Sequence, residues 1–191
     1  MKTALLIIDM QNDFLLPGAP AEIPGAYTII PRAAELLNFF RVRGMPVFHV
    51  VRQYREDGSD IENFRRGPFL DGNKYLVPGT NGAEIVEGMK PADGEWVIAK
   101  PRFSAFFGTE LELILKRLKI ENIVICGVQY PNCIRATAYD GVSYDYNTTV
   151  ITDATAGASD EISLANVRDL VNIGVKCIPF AEWKSKTFKQ P

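Results

Sequence analysis

Residues 122–153 read NIVICGVQYPNCIRATAYDGVSYDYNTTVITD, and two kinds of pattern alternate in them. Residues 122–128 and 148–153 are apolar runs, which are typical of strands covered on both faces of a parallel sheet. Between them, residues 131–146 begin with a proline, which suits the first turn of a helix. The stretch therefore predicts a strand, a crossover helix and a second, parallel strand.

The same alternation runs through the rest of the chain. Four more apolar segments predict strands, at residues 4–9, 46–51, 95–100 and 175–178. Helical patterns lie between strands, at residues 31–43, 109–118 and 159–174. Repeated strand–helix units predict an α/β fold with three layers, α/β/α, built on a doubly wound parallel six-stranded sheet. The expected strand order is 3-2-1-4-5-6, and ligands bind such sheets in the crevice between the first and fourth strands.

Length and composition indicate a globular protein with a real core. The 191 residues suit one domain, 1–191, with 47% apolar and 23% charged residues. A net charge of −2 without a long basic run argues against nucleic acid and membranes as partners. The N-terminal apolar run ends at Asp9, too early for a signal peptide or a membrane span. Three cysteines without C-x-x-C spacing argue against a disulfide framework or a zinc site, so we expect a cytoplasmic protein.

The chain has a single histidine, His49, so a site with several histidines cannot form within one chain. His49 lies in the apolar run PVFHVV, and we interpret it as a packed, hydrogen-bonded core residue. The base of an enzymatic reaction would then be a carboxylate or a lysine. We expect no metal and no other cofactor.

Residues 52–94 contain many glycines, prolines and charged residues and show no clear period. An irregular segment of that length in a small domain usually serves a site or an interface. We therefore expect this segment near the functional site or at a contact between subunits.

Three residues with reactive side chains follow buried strands at the predicted crevice, namely Asp9, Lys100 and Cys133. Cys133 would lie in the first helical turn, where unpaired N–H groups and the helix dipole lower the pKa of a thiol. A carboxylate at the end of a buried strand is partly desolvated, which suits a base. Each residue also has an ordinary interpretation: a packed cysteine, an aspartate that caps a turn and a solvated lysine. Their coincidence at one sheet edge favours chemistry.

Four segments of the chain carry a resemblance to a known family. They read IIDMQNDF at 7–14, AKPRFSAF at 99–106, CGVQYPNCIRATAYD at 126–140 and TDATAG at 152–157. Together, and in this order, they resemble the isochorismatase-like cysteine hydrolases over essentially the whole chain.

The resemblance implies a catalytic triad of Asp9, Lys100 and Cys133. Asp9 would take the thiol proton, Lys100 would stabilise the thiolate and hold Asp9, and Cys133 would form a thioester with the substrate. The resemblance also implies a cis peptide between Val128 and Gln129, with the backbone N–H groups of Gln129 and Cys133 as the oxyanion hole. The third strand lies two spacings, roughly 9–10 Å, from the first, so we expect the long Lys100 side chain to cross that distance.

Within the family, the sequence favours the metal-free amidohydrolases. Nicotinamidases bind a metal through an Asp-x-His and further histidines after the second strand, where this chain has Gln53 and Arg55. Isochorismatases lack the catalytic cysteine, which is present here as Cys133. We predict a hydrolase that cleaves a C–N amide, carbamoyl or ureido bond of a small molecule. The alternative is a catalytically silent relative that binds small molecules or acts as a partner in a protein assembly. In either case we expect a homo-oligomer, a dimer or a tetramer.

Further residues are candidates for substrate binding. Phe14, Phe103 and Phe106 belong to the matched motifs and would form either an apolar pocket wall or ordinary core. One arginine of the long segment could bind a substrate carboxylate, although each alone is more typical of a solvated loop: Arg52, Arg55, Arg65 and Arg66. Cys126 and Cys177 lie in apolar strands and are expected to be inert.

Overall fold

The sheet of this protein has the predicted architecture. A computed structural model describes residues 2–188. Its six strands are all parallel and have the order 3-2-1-4-5-6, so the predicted fold is confirmed. The strands are β1 (Lys2–Ile8), β2 (Val47–Arg52), β3 (Trp96–Lys100), β4 (Ile120–Val128), β5 (Asn147–Ala156) and β6 (Lys176–Ile178).

Helices lie on both faces of the sheet. They are α1 (Asn12–Leu15), α2 (Ile30–Val42), α3 (Asn63–Leu70), α4 (Leu111–Arg117), α5 (Arg135–Ser143), α6 (Asp160–Asn172) and α7 (Phe180–Thr187). One core cluster contains side chains of α2 and α7, and the other contains side chains of α4, α5 and α6. One cluster lies on each face of the sheet, so the fold has three layers, helices, sheet and helices. No helix within residues 2–188 is long and apolar enough to cross a membrane.

The central strand β1 shows why its sequence is continuously apolar. Successive side chains of a strand point to opposite faces of the sheet. Leu5 and Ile7 belong to one core cluster, whereas Leu6 and Ile8 belong to the other. Because helices cover both faces, each of these side chains is buried.

Three helical regions differ from the sequence prediction. Helix α5 ends at Ser143 rather than at residue 146, because Asp145 has a left-handed φ of 64° that stops the helix. The segment 52–94 is not wholly irregular, since it contains α3 and a 3-10 turn at Asn81–Ala83. A glycine and a proline inside α3 hid its helical pattern. Helix α7 was missed because eight residues give too few turns for a clear period.

The segment 52–94 is held beside the carboxyl ends of β1 and β2 by Gln11. The Gln11 side chain accepts a hydrogen bond from the Arg52 N–H and donates to the Arg52 and Ala83 carbonyls. Gln11 also forms an antiparallel bridge with Ile85. A buried side chain that satisfies three backbone groups fixes Arg52 and Ala83 relative to each other.

His49 is buried in β2, and its Nε2 lies 2.8 Å from a carboxylate oxygen of Glu95. Glu95 also accepts hydrogen bonds from Arg41 and from the backbone N–H of Ala92. Burial lowers the pKa of His49 and outweighs the raising effect of Glu95. An unfolded histidine has a pKa of about 6.5, so below that pH the unfolded chain binds a proton that the folded chain resists.

We expect the free energy of unfolding to fall as the pH decreases from 6.5 to 5, by at most about 1.4 kcal/mol per pH unit. His49 is the only histidine in the chain. His49→Gln keeps a donor toward Glu95 but cannot titrate, so it should abolish this slope. Urea unfolding at several pH values measures the effect. An equal slope in the wild type and in His49→Gln would contradict it.

Candidate active site

Three reactive side chains meet beyond the carboxyl ends of β1, β3 and β4. Lys100 Nζ lies 2.8 Å from Asp9 Oδ2 and 3.3 Å from Cys133 Sγ. All three residues are buried. The structure therefore brings together the residues that the sequence placed at one sheet edge, although they lie up to 124 positions apart in the numbering from Asp9 to Cys133 (133 − 9).

Asp9 stands directly after β1 in an unusual backbone conformation. Its φ is 53°, which lies in the left-handed region that aspartate tolerates better than most residues. Its N–H donates to the Val50 carbonyl at 2.8 Å, and this bond ties it to β2. On its other side, Gly127 of β4 approaches so closely that a Cβ there would lie 2.1 Å from the Ile8 oxygen. Only glycine allows β1 and β4 to bring Asp9 so near to the turn that carries Cys133.

Lys100 crosses the gap between β3 and the crevice, as expected for its long side chain. The side chain is fully buried, and its ammonium group also donates to the Arg102 carbonyl at 3.3 Å. An ammonium group has three donors, and these three partners account for all of them. The Lys100 ammonium therefore has a fixed position between the carboxylate and the sulfur.

Cys133 lies in a π-helical turn, Tyr130–Ile134, that leads into α5. The turn is fixed by the Gln129 carbonyl, which accepts the N–H groups of Asn132 and Ile134. The predicted lowering of the thiol pKa is wrong. Burial raises the pKa of Cys133, the Asp9 carboxylate raises it further, and Lys100 and Arg52 only partly oppose this. In the resting site, burial thus favours the protonated thiol over the thiolate.

The other two cysteines differ from Cys133. Burial raises the pKa of Cys126 to about 12 and that of Cys177 to about 11. Within residues 2–188 no charged group accounts for either shift, which agrees with their interpretation as inert residues.

A small cavity adjoins the sulfur. Its volume is about 10 Å³, which is room for about one water molecule. The peptide bond between Val128 and Gln129 at its edge is cis. The cavity is lined by Asp9, Phe14, Ile23, Arg52, Arg65, Val128, Gln129, Asn132 and Cys133. A space of this volume is too small for a substrate.

The three phenylalanines of the matched motifs have different places. Phe14 lines the cavity. Phe103 is half-buried and lies under two guanidinium groups, 5.1 Å from that of Arg52 and 5.4 Å from that of Arg65. Phe106 belongs to the core and packs against Tyr144 and Tyr146, with ring centroids 5.3 and 6.0 Å away. Phe106 therefore fits its interpretation as ordinary core, and it is not among the residues that line the cavity.

The four candidate arginines also differ in their exposure and position. Arg55 and Arg66 are exposed, whereas Arg65 is half-buried and lines the cavity. Arg52 is 1% exposed, and its Nη2 lies 3.5 Å from Cys133 Sγ. The motifs do not distinguish Arg52 from the other three arginines. Its position at the end of a buried strand, however, does indicate that it lies at the site.

A buried network surrounds Arg52. Its Nη1 donates to a Glu62 carboxylate oxygen and to the Tyr54 hydroxyl. The Tyr54 hydroxyl donates to the other Glu62 oxygen at 2.8 Å and accepts from Arg65. Burial opposes the charge of Arg52, but the neighbouring Cys133, Asp9 and Glu62 hold its pKa above the ordinary value. The site thus contains a second permanent cation that the sequence motifs did not reveal.

Comparisons with known proteins identify the family and the fold. A sequence profile of the isochorismatase domain matches residues 3–182. A protein named "Probable inactive nicotinamidase" of Arabidopsis thaliana is 46% identical over 187 residues, 96% of this chain and 95% of that protein. Maleamate amidohydrolase of Pseudomonas putida is 32% identical over 173 residues, 88% of this chain and 79% of that protein. The crystal structure of an isochorismatase family protein from Desulfovibrio vulgaris has a TM-score of 0.95 at 46% identity, covering 97% of this chain and 98% of that one. Profile, relatives and fold agree, and the chain belongs to the isochorismatase-like hydrolase family.

Proposed function

We propose that this protein hydrolyses a C–N amide, carbamoyl or ureido bond of a small molecule through a thioester on Cys133. Amidohydrolases that act on C–N bonds occur in the family. The observation that supports the proposal best is the position of Lys100 Nζ, 2.8 Å from Asp9 Oδ2 and 3.3 Å from Cys133 Sγ. A cation that contacts both a carboxylate and a thiol is an arrangement that covalent catalysis by a thiol can use.

In the acylation step, Asp9 takes the proton of the Cys133 thiol. The thiolate attacks the carbonyl carbon of the substrate, and a C–S bond forms while the carbonyl oxygen becomes an oxyanion. When the oxyanion collapses, the C–N bond breaks, and Asp9 gives its proton to the departing nitrogen. The products of this step are ammonia or an amine and an acyl thioester on Cys133.

In the deacylation step, the same carboxylate acts on water. Asp9 removes a proton as the water oxygen attacks the thioester carbonyl. The C–S bond then breaks, the acid product leaves, and the thiolate takes the proton back from Asp9. The Lys100 ammonium contacts both groups, so it stabilises the negative charge on whichever of them carries it.

We assign the oxyanion hole to the backbone N–H groups of Gln129 and Cys133. Support comes from the cavity, which both residues line beside the sulfur. Donors that are fixed before the reaction stabilise an oxyanion without reorganisation. Phe14 and Ile23 would form the apolar wall opposite them.

A catalytically silent binding protein is the second candidate. Two observations favour it: the relative at 46% identity carries the word "inactive" in its name, and the cavity at Cys133 has a volume of only about 10 Å³. Against it stands Lys100 Nζ, which contacts both the Asp9 carboxylate and the Cys133 sulfur.

Ammonia release decides between the two candidates. We expect the purified protein to release ammonia from at least one member of a panel of primary amides, carbamoyl amino acids and ureido acids, at a turnover of roughly 1 s⁻¹ or more. Silence across the panel, together with a Cys133 that iodoacetamide does not modify, would contradict the proposal and favour the binding protein.

We also propose that the protein acts in the cytoplasm as a homo-oligomer, a dimer or a tetramer. The cysteine composition supports the first point, and the long segment 52–94, with an exposed Phe64 and Leu70, supports the second. Sedimentation equilibrium measures the mass in solution, and a mass of about 21 kDa would refute the oligomer.

A further inference from the structure

Two cations contact the sulfur of Cys133, but they do so differently. Lys100 Nζ contacts both the Asp9 carboxylate and the sulfur. Arg52 Nη2 lies 3.5 Å from the sulfur, and its other hydrogen bonds go to Tyr54 and Glu62. The two cations are therefore not equivalent when a proton moves between Cys133 and Asp9.

The proton transfer moves one negative charge from the Asp9 carboxylate to the sulfur. A cation that contacts both groups attracts the charge before and after the move, so it changes the equilibrium little. A cation that contacts only the sulfur attracts the charge mainly after the move and favours the thiolate. Only such differential stabilisation promotes the chemical step.

We propose that Arg52 is a further catalytic residue, whose guanidinium group stabilises the thiolate that forms when the Cys133 proton passes to Asp9. The inference rests on the proposed function for the identity of the nucleophile, but not on any particular substrate. Arg52 thereby counteracts the burial of the thiol, which disfavours its ionised form.

Hydrogen bonds hold the Arg52 side chain and backbone in place before any proton moves. Glu62 and Tyr54 hold Nη1, and Gln11 holds the backbone N–H and carbonyl of the same residue. Arg52 is 1% exposed, so its guanidinium cannot turn toward solvent. Glu62 is in this scheme a positioning residue, because it acts on the sulfur only through Arg52.

The charged groups around the sulfur come from different parts of the chain. Asp9 follows β1, Arg52 ends β2 and Lys100 ends β3. Glu62 contacts Arg52 rather than the sulfur, and Arg65 lines the cavity. Two cations, Lys100 and Arg52, thus contact the sulfur and oppose the effect of the Asp9 carboxylate, which disfavours a thiolate.

The pH dependence of thiol alkylation tests the proposal without any amide substrate. Iodoacetamide reacts with the thiolate, and peptide mapping separates Cys133 from Cys126 and Cys177. In Arg52→Met we expect the midpoint of the rate–pH profile of Cys133 to rise by about one unit, and the rate at pH 7 to fall about tenfold. Arg55→Met is the matched control, because Arg55 is 69% exposed and its charged partner, Asp57, is 3.7 Å away at the surface.

Arg52→Met leaves the Glu62 carboxylate buried without its cation, which threatens the fold. Arg52→Met/Glu62→Gln removes this problem and should show the same rise of the midpoint. Arg52→Lys keeps a positive charge but loses the planar guanidinium group with its several N–H donors. We therefore expect a midpoint between those of the wild type and Arg52→Met. Glu62→Gln alone should raise the midpoint by less than Arg52→Met does.

The result that would overturn the proposal is a midpoint in Arg52→Met/Glu62→Gln equal to that of the wild type, in a protein that circular dichroism shows to be folded. The midpoint, rather than the absolute rate, is decisive because a change in access to the sulfur alters the rate at every pH alike. If ammonia release fails but the midpoint rises, the proposed function is wrong, whereas the stabilisation of the Cys133 thiolate by Arg52 stands.

Discussion

Cys133→Ala should have no measurable hydrolytic activity, a loss of about 10⁴-fold or more, on any amide that the wild type cleaves. Without the sulfur no thioester can form, and Asp9 and Lys100 have no nucleophile to activate. The change removes one buried sulfur atom, so we expect the thermal unfolding temperature to fall by only a few degrees. Steady-state ammonia release by wild type and variant, with unfolding followed by circular dichroism, provides both measurements.

Cys177→Ala is the matched control for this experiment. Cys177 is half-buried in β6, and burial raises the pKa of its thiol to about 11. Its removal should leave kcat and KM unchanged. Turnover by Cys133→Ala at the wild-type rate would show that another group carries the reaction.

Lys100→Met should lower the free energy of unfolding by about 3–5 kcal/mol and abolish activity. The Lys100–Asp9 pair is fully buried, with side chains 0% and 1% exposed. Removing the cation leaves a buried carboxylate whose main partner is gone, and the folded protein cannot hydrate it. Urea unfolding at pH 7 measures the loss.

Asp9→Asn/Lys100→Met separates stability from catalysis. This double variant removes both charges, so most of the lost stability should return, whereas activity should stay absent because no base remains. A double-mutant cycle with Asp9→Asn gives the coupling energy of the pair. If Lys100→Met is as stable as the wild type, or if the double variant is no more stable than Lys100→Met, the ion pair does not have the role described here.

The convergence of the three reactive residues followed from the sequence because parallel strands share a direction. Asp9, Lys100 and Cys133 each follow an apolar run, and the carboxyl ends of parallel strands lie at one edge of the sheet. The strand order depended only on the alternation of strands and helices. The convergence of the three residues and the strand order could therefore be predicted without knowledge of side-chain contacts.

The network around Arg52 could not be predicted in the same way. Its partners Tyr54 and Glu62 lie in the segment 52–94, which has no period that would place a side chain on a known face. The burial of the Cys133 thiol could not be predicted from the sequence either. The thiol pKa was expected to be low because Cys133 starts a helix, but the degree of desolvation, which raises that pKa, depends on how this segment covers the site.

For Phe106 the sequence left two interpretations open, a pocket wall and ordinary core. It belongs to a motif that the chain shares with its family, yet it packs against Tyr144 and Tyr146 in the core. A motif contains residues that support the fold as well as residues that touch the substrate. Sequence alone does not separate the two, because both require an apolar side chain at the same position.

The covalent intermediate on Cys133 is the central claim, and its capture is the most direct measurement. With a cleaved amide in hand, the wild type is quenched in acid during turnover, and its Cys133 peptide is analysed by mass spectrometry. A parallel reaction contains hydroxylamine, which intercepts a thioester even when the thioester does not accumulate. We expect an acyl group on the Cys133 peptide, or hydroxamate product in the wild type and none in Cys133→Ala. Sustained hydrolysis with an unmodified Cys133 peptide and no hydroxamate would contradict the mechanism.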